Sequence, residues 1–142
     1  MREALDEAQR SFDAGEVPVG AVVVIEGKVV ARAHNAPVAL SDPAAHAEVL
    51  ALRAAGRELG NYRLVGATLY VTVEPCVMCC GAVLHSRVAR VVYGAPDAKA
   101  GAVTSLYRLL EDPRLNHRAA AVGGVLAADS VALLRRFFET RR

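Results

Sequence analysis

Two cysteines three apart directly behind a proline, in Glu74-Pro75-Cys76-Val77-Met78-Cys79, concentrate the metal chemistry of this chain. Proline is at home at the first position of a helix, where its missing N–H costs nothing. The spacing therefore predicts Cys76 and Cys79 on one face of an opening helical turn. The positive end of the helix macrodipole there favours the thiolate, which is the form that binds metal. Two soft ligands at this spacing suit zinc, which takes four protein ligands in a structural site but three plus an exchangeable water in a catalytic one. A thioredoxin-like redox pair has the same C-x-x-C spacing and is the competing reading.

Few residues can complete a zinc shell: His34, His46, His85, His117 and Cys80. His46 stands out, in Ser41-Asp42-Pro43-Ala44-Ala45-His46-Ala47-Glu48. Ser41 or Asp42 can cap a helix here, and the apolar spacing of Val49, Leu50 and Leu52 starts one. If this second helix N-terminus converges on the cysteine pair, a two-thiolate, one-imidazole site results, with its fourth position free. Glu48 would stand beside it. Positions two apart on a helix do not face the same way, so Glu48 must reach the site past the helix end; its alternative is an ordinary first-turn acid favoured by the dipole. A redox pair has no use for His46 or Glu48. Cys80, four residues after Cys76, is open to two readings, a fourth ligand that closes the site or a small buried hydrophobe.

His46-Ala47-Glu48 followed by Pro75-Cys76-Val77-Met78-Cys79 matches the H-x-E…P-C-x-x-C signature of zinc-dependent nucleobase deaminases. Beyond it, Val17-Pro18-Val19-Gly20-Ala21, His34-Asn35, Asn61-Tyr62-Arg63-Leu64, Asp97-Ala98-Lys99, Leu115-Asn116-His117 and Phe137-Phe138 resemble the bacterial tRNA-specific adenosine deaminase family over nearly the whole chain. The resemblance implies a homodimer that converts the wobble adenosine of a tRNA anticodon stem-loop to inosine. It also implies one Zn2+ per subunit on His46, Cys76 and Cys79, and a three-layer α/β/α sandwich of the cytidine deaminase-like type with a mixed five-stranded central sheet. Zinc in a three-ligand site lowers the pKa of its water to about 7, and hydrolysis at C6 of adenine needs a carboxylate to shuttle protons, the role assigned to Glu48. For the purine pocket the resemblance points to Asn35 and the main chain around Ala47 and Val19 to Ala21. For the RNA it points to Asp97 and Lys99, to Asn116 and His117, and to Phe137, Phe138 and the closing arginines, which would stack on and pair with splayed nucleotides. A turn role for Asn35 and a core role for the phenylalanines stand beside these readings. Cys80 and Pro96 depart from the family pattern, which has a small residue at the first position and a larger or basic one at the second. Relatives often begin several residues earlier, which would leave the first helix short.

A chain of 142 residues, 54% hydrophobic, is expected to form one domain over 1–142 with a real core. Part of so much apolar surface is expected to face a partner. The apolar run Ala21 to Ile25 is far short of a membrane span and the N-terminus does not read as a signal peptide, so the expected location is the cytoplasm, without a membrane partner. Three cysteines do not read as a secreted disulfide framework. Net charge is only +2, but residues 108–142 carry seven arginines against four acids. That basic quarter is either an RNA contact or a solvated helix face.

Periodicity predicts a helix over 3–14 packed on the sheet, and a hairpin from Val19–Ile25 and Lys28–Ala33 about a turn at Glu26-Gly27. A loop over 34–44 should precede the helix Ala45–Leu59. A strand Thr68–Val73 should then feed a helix to about Ser86. The remainder reads as a strand Arg90–Tyr93, a loop to Ala102, a short helix Ser105–Leu110, a strand Ala119–Val125 and a helix Ala128–Arg141. Strands alternating with helices indicate an α/β sandwich. Two other functions stay open: deamination of a free base or nucleoside (cytosine, guanine, cytidine), and a non-catalytic RNA-binding module with structural zinc. Asp97-Ala98-Lys99, Asn116-His117 and the Phe-Phe helix weigh against the first.

Overall fold

The computed structural model describes residues 1–141; Arg142, one of the closing arginines, lies outside the described residues. In chain order the elements are α1 (Arg2–Asp13), β1 (Gly20–Ile25), β2 (Lys28–His34), α2 (Pro37–Leu40), α3 (Ala47–Leu59), β3 (Thr68–Val73), α4 (Val77–His85), β4 (Arg90–Ala95), a 3-10 turn (Leu109–Glu111), β5 (Ala120–Val122) and α5 (Ala127–Glu139). The strands form one mixed sheet in the order β2-β1-β3-β4-β5. β1 pairs antiparallel with β2 and β3, whereas β3–β4 and β4–β5 are parallel. Helices α3 and α4 cover one face, α1 and α5 the other. This is the expected three-layer α/β/α sandwich.

β-Branched residues fill β1, and their alternation buries both faces. Ala21, Val23, Leu69, Val71, Val91 and Tyr93 pack with Ala51, Leu52 and Ala55 of α3 and Val83 of α4. Val22 and Val92 are buried on the α1/α5 side. The hairpin turn sits at Glu26-Gly27 as expected, with both residues at positive φ (50° and 74°). One register step between Val23 and Val24 makes a bulge in the pairing. α1 lies so close to β1 that a Cβ at Gly20 would overlap the Ala4 carbonyl and the Ala8 amide. Backbone cannot move aside as a side-chain tip can. Gly20→Ala is expected to cost more than about 3 kcal/mol, read as a lowered denaturation midpoint; a change under about 1 kcal/mol would mean that α1 is not seated as described.

Several expectations are corrected. The first ligand helix begins at Ala47 rather than Ala45, capped by neither Ser41 nor Asp42: Asp42 Oδ1 accepts the Ala44 N–H (2.9 Å) to close a turn, and His46 occupies the N-cap position with extended backbone. The second begins at Val77, so Pro75 precedes the helix and Cys76 is its N-cap. The 34–44 loop contains the short helix α2, whose first free N–H groups are taken by the buried Glu16 carboxylate (3.2 Å to Val38 N, 2.7 Å to Ala39 N). Of the expected helix over Ser105–Leu110 only the 3-10 turn at its end forms, because the N–H groups of Leu106 and Leu109 go to the carbonyls of Gly101 (2.9 Å) and Ala102 (3.0 Å) instead of to those four residues back. β5 is only Ala120–Val122: Gly123 lies against the Tyr93 ring, where no Cβ fits, and Gly124 turns the chain at φ 82°.

Candidate metal centre and active-site cleft

His46 and the cysteine pair meet where two helix N-termini converge. His46 Nδ1 lies 3.5 Å from Cys79 Sγ and 3.6 Å from Cys76 Sγ, and the three ligand atoms all fall within 4.8 Å of one another. Zinc bonds of ~2.3 Å to sulfur and ~2.0 Å to nitrogen at tetrahedral angles set sulfur and nitrogen about 3.5 Å apart. Both sulfur–nitrogen distances therefore fit zinc. Hydrogen bonding from Cys79 and His46 holds the Cys76 thiol far below its usual range, at about 3, while the same bond and burial push Cys79 up. Metal binding takes both cysteines as thiolates and so releases protons from the site. The hydrogen bond to Cys76 raises the pKa of His46.

Cys80 is not a ligand here. It is fully buried in the α3/α4 core, its thiol 3.8 Å from the Pro75 carbonyl, and burial pushes its pKa up to about 12. The fourth position is left without a protein ligand among the described residues.

The i, i+2 difficulty with Glu48 dissolves in the backbone. His46 is extended (φ −73°, ψ 149°) just outside α3, and Glu48 lies in the first turn, so the two side chains are not constrained to helical directions 200° apart. Glu48 is buried at 4% exposure. That burial raises its carboxyl pKa against the opposing pull of His46, the shift a proton-shuttling acid requires.

A cleft of about 320 Å³ opens over these groups, lined by Val17, Val19, Asn35, Pro37, His46, Glu48, Val73, Glu74, Cys76, Asp97 and Ala100. Its near wall is tied down from behind: Asn35 N–H donates to Val19 O (3.0 Å), and the Ser11 hydroxyl reaches the carbonyls of Val17 and Asn35 (2.9 Å each). Of the expected substrate residues the structure brings Val19, Asn35 and Asp97 to this cleft. Ala47, where the main chain is the expected contact, directly follows His46 at the start of α3, with its side chain fully buried. Lys99 is exposed, its N–H donating to Asp97 Oδ1 (3.0 Å). Asn116 and His117 line a different groove, with Val77, Gly81, Leu84 and Leu115, and His117 Nε2 lies 2.8 Å from the Val88 carbonyl. Phe137 is 4% exposed, packed edge-on to Phe12 under the Arg141 guanidinium, while Phe138 is half exposed. Of the two adjacent rings the one open to a ligand is thus Phe138, in a groove with Pro96, Leu134 and Arg135.

The residue that sequence reasoning missed is Glu74. It is 2% exposed, and its carboxylate accepts the N–H groups of Asp97 (3.0 Å), Val103 (3.1 Å), Thr104 (2.9 Å) and Ser105 (2.9 Å) and the Ser105 hydroxyl. Burial opposes its charge, but those donors outweigh it and hold the carboxyl down at about 2, against 4.5 ordinarily. A depressed folded-state pKa stabilises the fold above the unfolded value, and the stabilisation is lost as pH falls through the folded one. Ionised Glu74 should accordingly contribute about 3 kcal/mol at neutral pH. The stability gap between the native chain and Glu74→Gln should shrink as pH drops from about 4.5 toward 2. A gap independent of pH over that window in denaturant titrations would contradict this. No sequence signal marks the role, since the partners are backbone amides.

A convergent two-thiolate, one-imidazole site with a buried carboxylate beside it is the arrangement that zinc-dependent deaminases use, and the family profile described as the cytidine and deoxycytidylate deaminase zinc-binding region matches residues 1–95. The tRNA-specific adenosine deaminase of Bacillus subtilis (strain 168) is 49% identical over 142 residues, covering 100% of this chain and 88% of that protein. That of Haemophilus influenzae is 46% identical over 143 residues, covering 100% and 83%. The chain belongs to the tRNA-specific adenosine deaminase family. A solved structure from work on A-to-I editing by tRNA:A34 deaminases at the wobble position of transfer RNA superposes with a TM-score of 0.91 at 43% identity, covering 94% of this chain and 97% of that one. A guanine deaminase from Bacillus subtilis matches with a TM-score of 0.64 at 40% identity, but over 67% of this chain and 61% of that one.

Proposed function

We propose that this chain is a single zinc-dependent deaminase domain that hydrolyses the wobble adenosine of a tRNA anticodon to inosine, with His46, Cys76 and Cys79 holding the zinc and Glu48 moving the protons. The observation that carries the reading is the buried Glu48 carboxylate beside a three-ligand site whose fourth position has no protein ligand among the described residues. Zinc, when bound, supplies a water that is activated at neutral pH. Glu48 accepts a proton from the attacking water and delivers it to N1 of the adenine ring as C6 is attacked; it then takes the proton of the new C6 hydroxyl and passes it to the exocyclic amine, which leaves as ammonia as the C6 carbonyl forms. Asn35, on the cleft wall, offers an amide to the edge of the base. The cleft volume of about 320 Å³ admits one nucleoside and not a folded loop, so the base must leave its stack to react.

On this reading Asp97 contacts the nucleotide at the cleft mouth, Lys99 and the basic C-terminal quarter contact phosphates, and Phe138 offers a ring for stacking where Phe137 cannot. A homodimer is part of the proposal. Val77 (52% exposed) and Leu115, which line the Asn116–His117 groove, and Met78 next to them in the chain leave apolar area open there, and a second copy covering it would bring those two residues to a composite site. Sedimentation should give twice the monomer mass. The location that goes with an anticodon substrate is the cytoplasm, and among the described residues no helix is long and apolar enough to cross a membrane. The direct test is to incubate zinc-loaded protein with an anticodon stem-loop carrying a wobble adenosine and look for inosine at that position alone. Deamination of adenosines throughout the RNA would contradict the wobble assignment.

A further inference from the structure

We propose that Glu74 is a positioning residue for the outer wall of the cleft: a buried carboxylate that gathers the 97–105 loop and so sets where Asp97 and Ala100 stand over the reacting base. This deepens the reading of the cleft given above and rests on it.

The loop contains no strand or α-helix; its own hydrogen bonds close a turn at its start, where the N–H groups of Lys99, Ala100 and Gly101 go to Asp97, and leave those of Val103 to Ser105 to find partners elsewhere. Glu74 supplies what is missing. Oε1 accepts from Asp97 N and the Ser105 hydroxyl, and Oε2 from the N–H groups of Val103, Thr104 and Ser105. Both ends of the loop thus converge on one carboxylate. The middle is held to the same place, because Gly101 lies against that carboxylate so closely that a Cβ there would overlap it. Neighbouring bonds join the loop to the ligand turn: Ala102 N–H donates to Pro75 O (2.8 Å), and Cys76 bridges to Gly101. The residue two before a zinc ligand therefore also fixes the opposite wall, and the metal and the wall keep one spacing. An amide cannot replace the carboxylate, since its NH2 must face N–H donors whichever way it is turned. A separate tie, Tyr93 Oη to Thr104 Oγ1 (2.8 Å), keeps part of the loop in place without Glu74.

The test uses the full-length, zinc-loaded chain with Glu74→Gln and the milder Ser105→Ala, which removes a single donor and keeps the carboxylate. Amide hydrogen exchange is expected to speed up at Asp97, Val103, Thr104 and Ser105 by at least tenfold in Glu74→Gln, with the amides of β3 and β4 unchanged. With the anticodon stem-loop as substrate, KM should rise about tenfold in Glu74→Gln and about threefold in Ser105→Ala, while kcat per bound zinc stays within about threefold of the native value. A merely structural role would lower zinc content and active fraction together and leave KM alone; that result, or unchanged exchange in the loop, overturns the proposal. Should Glu74→Gln fail to fold, Ser105→Ala decides it by the same two readouts. If the native chain ignored the stem-loop, the functional reading would fail, while the exchange measurement would still judge the loop's dependence on Glu74.

Discussion

Glu48→Ala should keep its zinc and its fold and lose deamination by at least 10²- to 10⁴-fold, the contribution that a positioned proton shuttle alone makes. The reaction asks one group for two transfers, to the ring nitrogen and to the departing amine, and no other carboxylate on the cleft wall is free to take over. Glu74 is saturated by donors from its own loop, and the Asp97 carboxylate is turned to the N–H groups of Lys99 and Ala100. Removing a buried carboxyl also removes a desolvation cost, so the variant should be at least as stable as the native chain. Metal analysis, thermal denaturation and single-turnover kinetics on one preparation separate these effects. Undiminished turnover would remove Glu48 from the mechanism, whereas lost zinc would make it a structural residue.

The opposite pattern is expected for His46→Ala. Two thiols remain, but the third donor is gone, and two ligands do not hold zinc as three do. Zinc content should fall to a small fraction of one per chain at micromolar free metal, with activity below detection. Because the metal joins the first turns of α3 and α4, its loss is felt as stability. An ion present at about a hundred times its dissociation constant contributes roughly 2.7 kcal/mol, or on the order of 10 °C in Tm for a chain of this size. Chelation of the native protein should reproduce that drop, and addition of zinc should restore it only there. A His46→Ala protein replete with zinc and undiminished in Tm would contradict the ligand set.

These expectations were largely legible before any fold was known, for physical reasons that differ residue by residue. Thiol and imidazole donors are scarce in the chain, so a C-x-x-C with one well-placed histidine already names the three groups that the fold brings within 4.8 Å. Strand alternation and helix periodicity placed every strand of the sheet to within a few residues. What escaped depends on where backbone amides find partners. His46 takes the N-cap position in extended conformation, so a helical wheel misjudges how Glu48 approaches the metal. The predicted helix over 105–110 is absent because the Leu109 N–H, which would close its first turn on Ser105, goes to the Ala102 carbonyl in a loop gathered on Glu74, far back in the chain. No local pattern encodes that. Phe137 is a different case: Ser130, Leu133 and Phe137 are the buried positions of α5, spaced three and four apart, and Phe138 falls off that stripe. The choice between the two rings was present in the periodicity.

The measurement that bears most directly on the central claim is parallel deamination, by one zinc-loaded preparation, of an anticodon stem-loop with a wobble adenosine and of free adenosine, guanine, cytosine and cytidine. Inosine in the stem-loop, with turnover of every free compound lower by at least 10³-fold in kcat/KM, is the expected result. Efficient turnover of a free base or nucleoside with an inert stem-loop would keep the zinc chemistry and contradict the substrate.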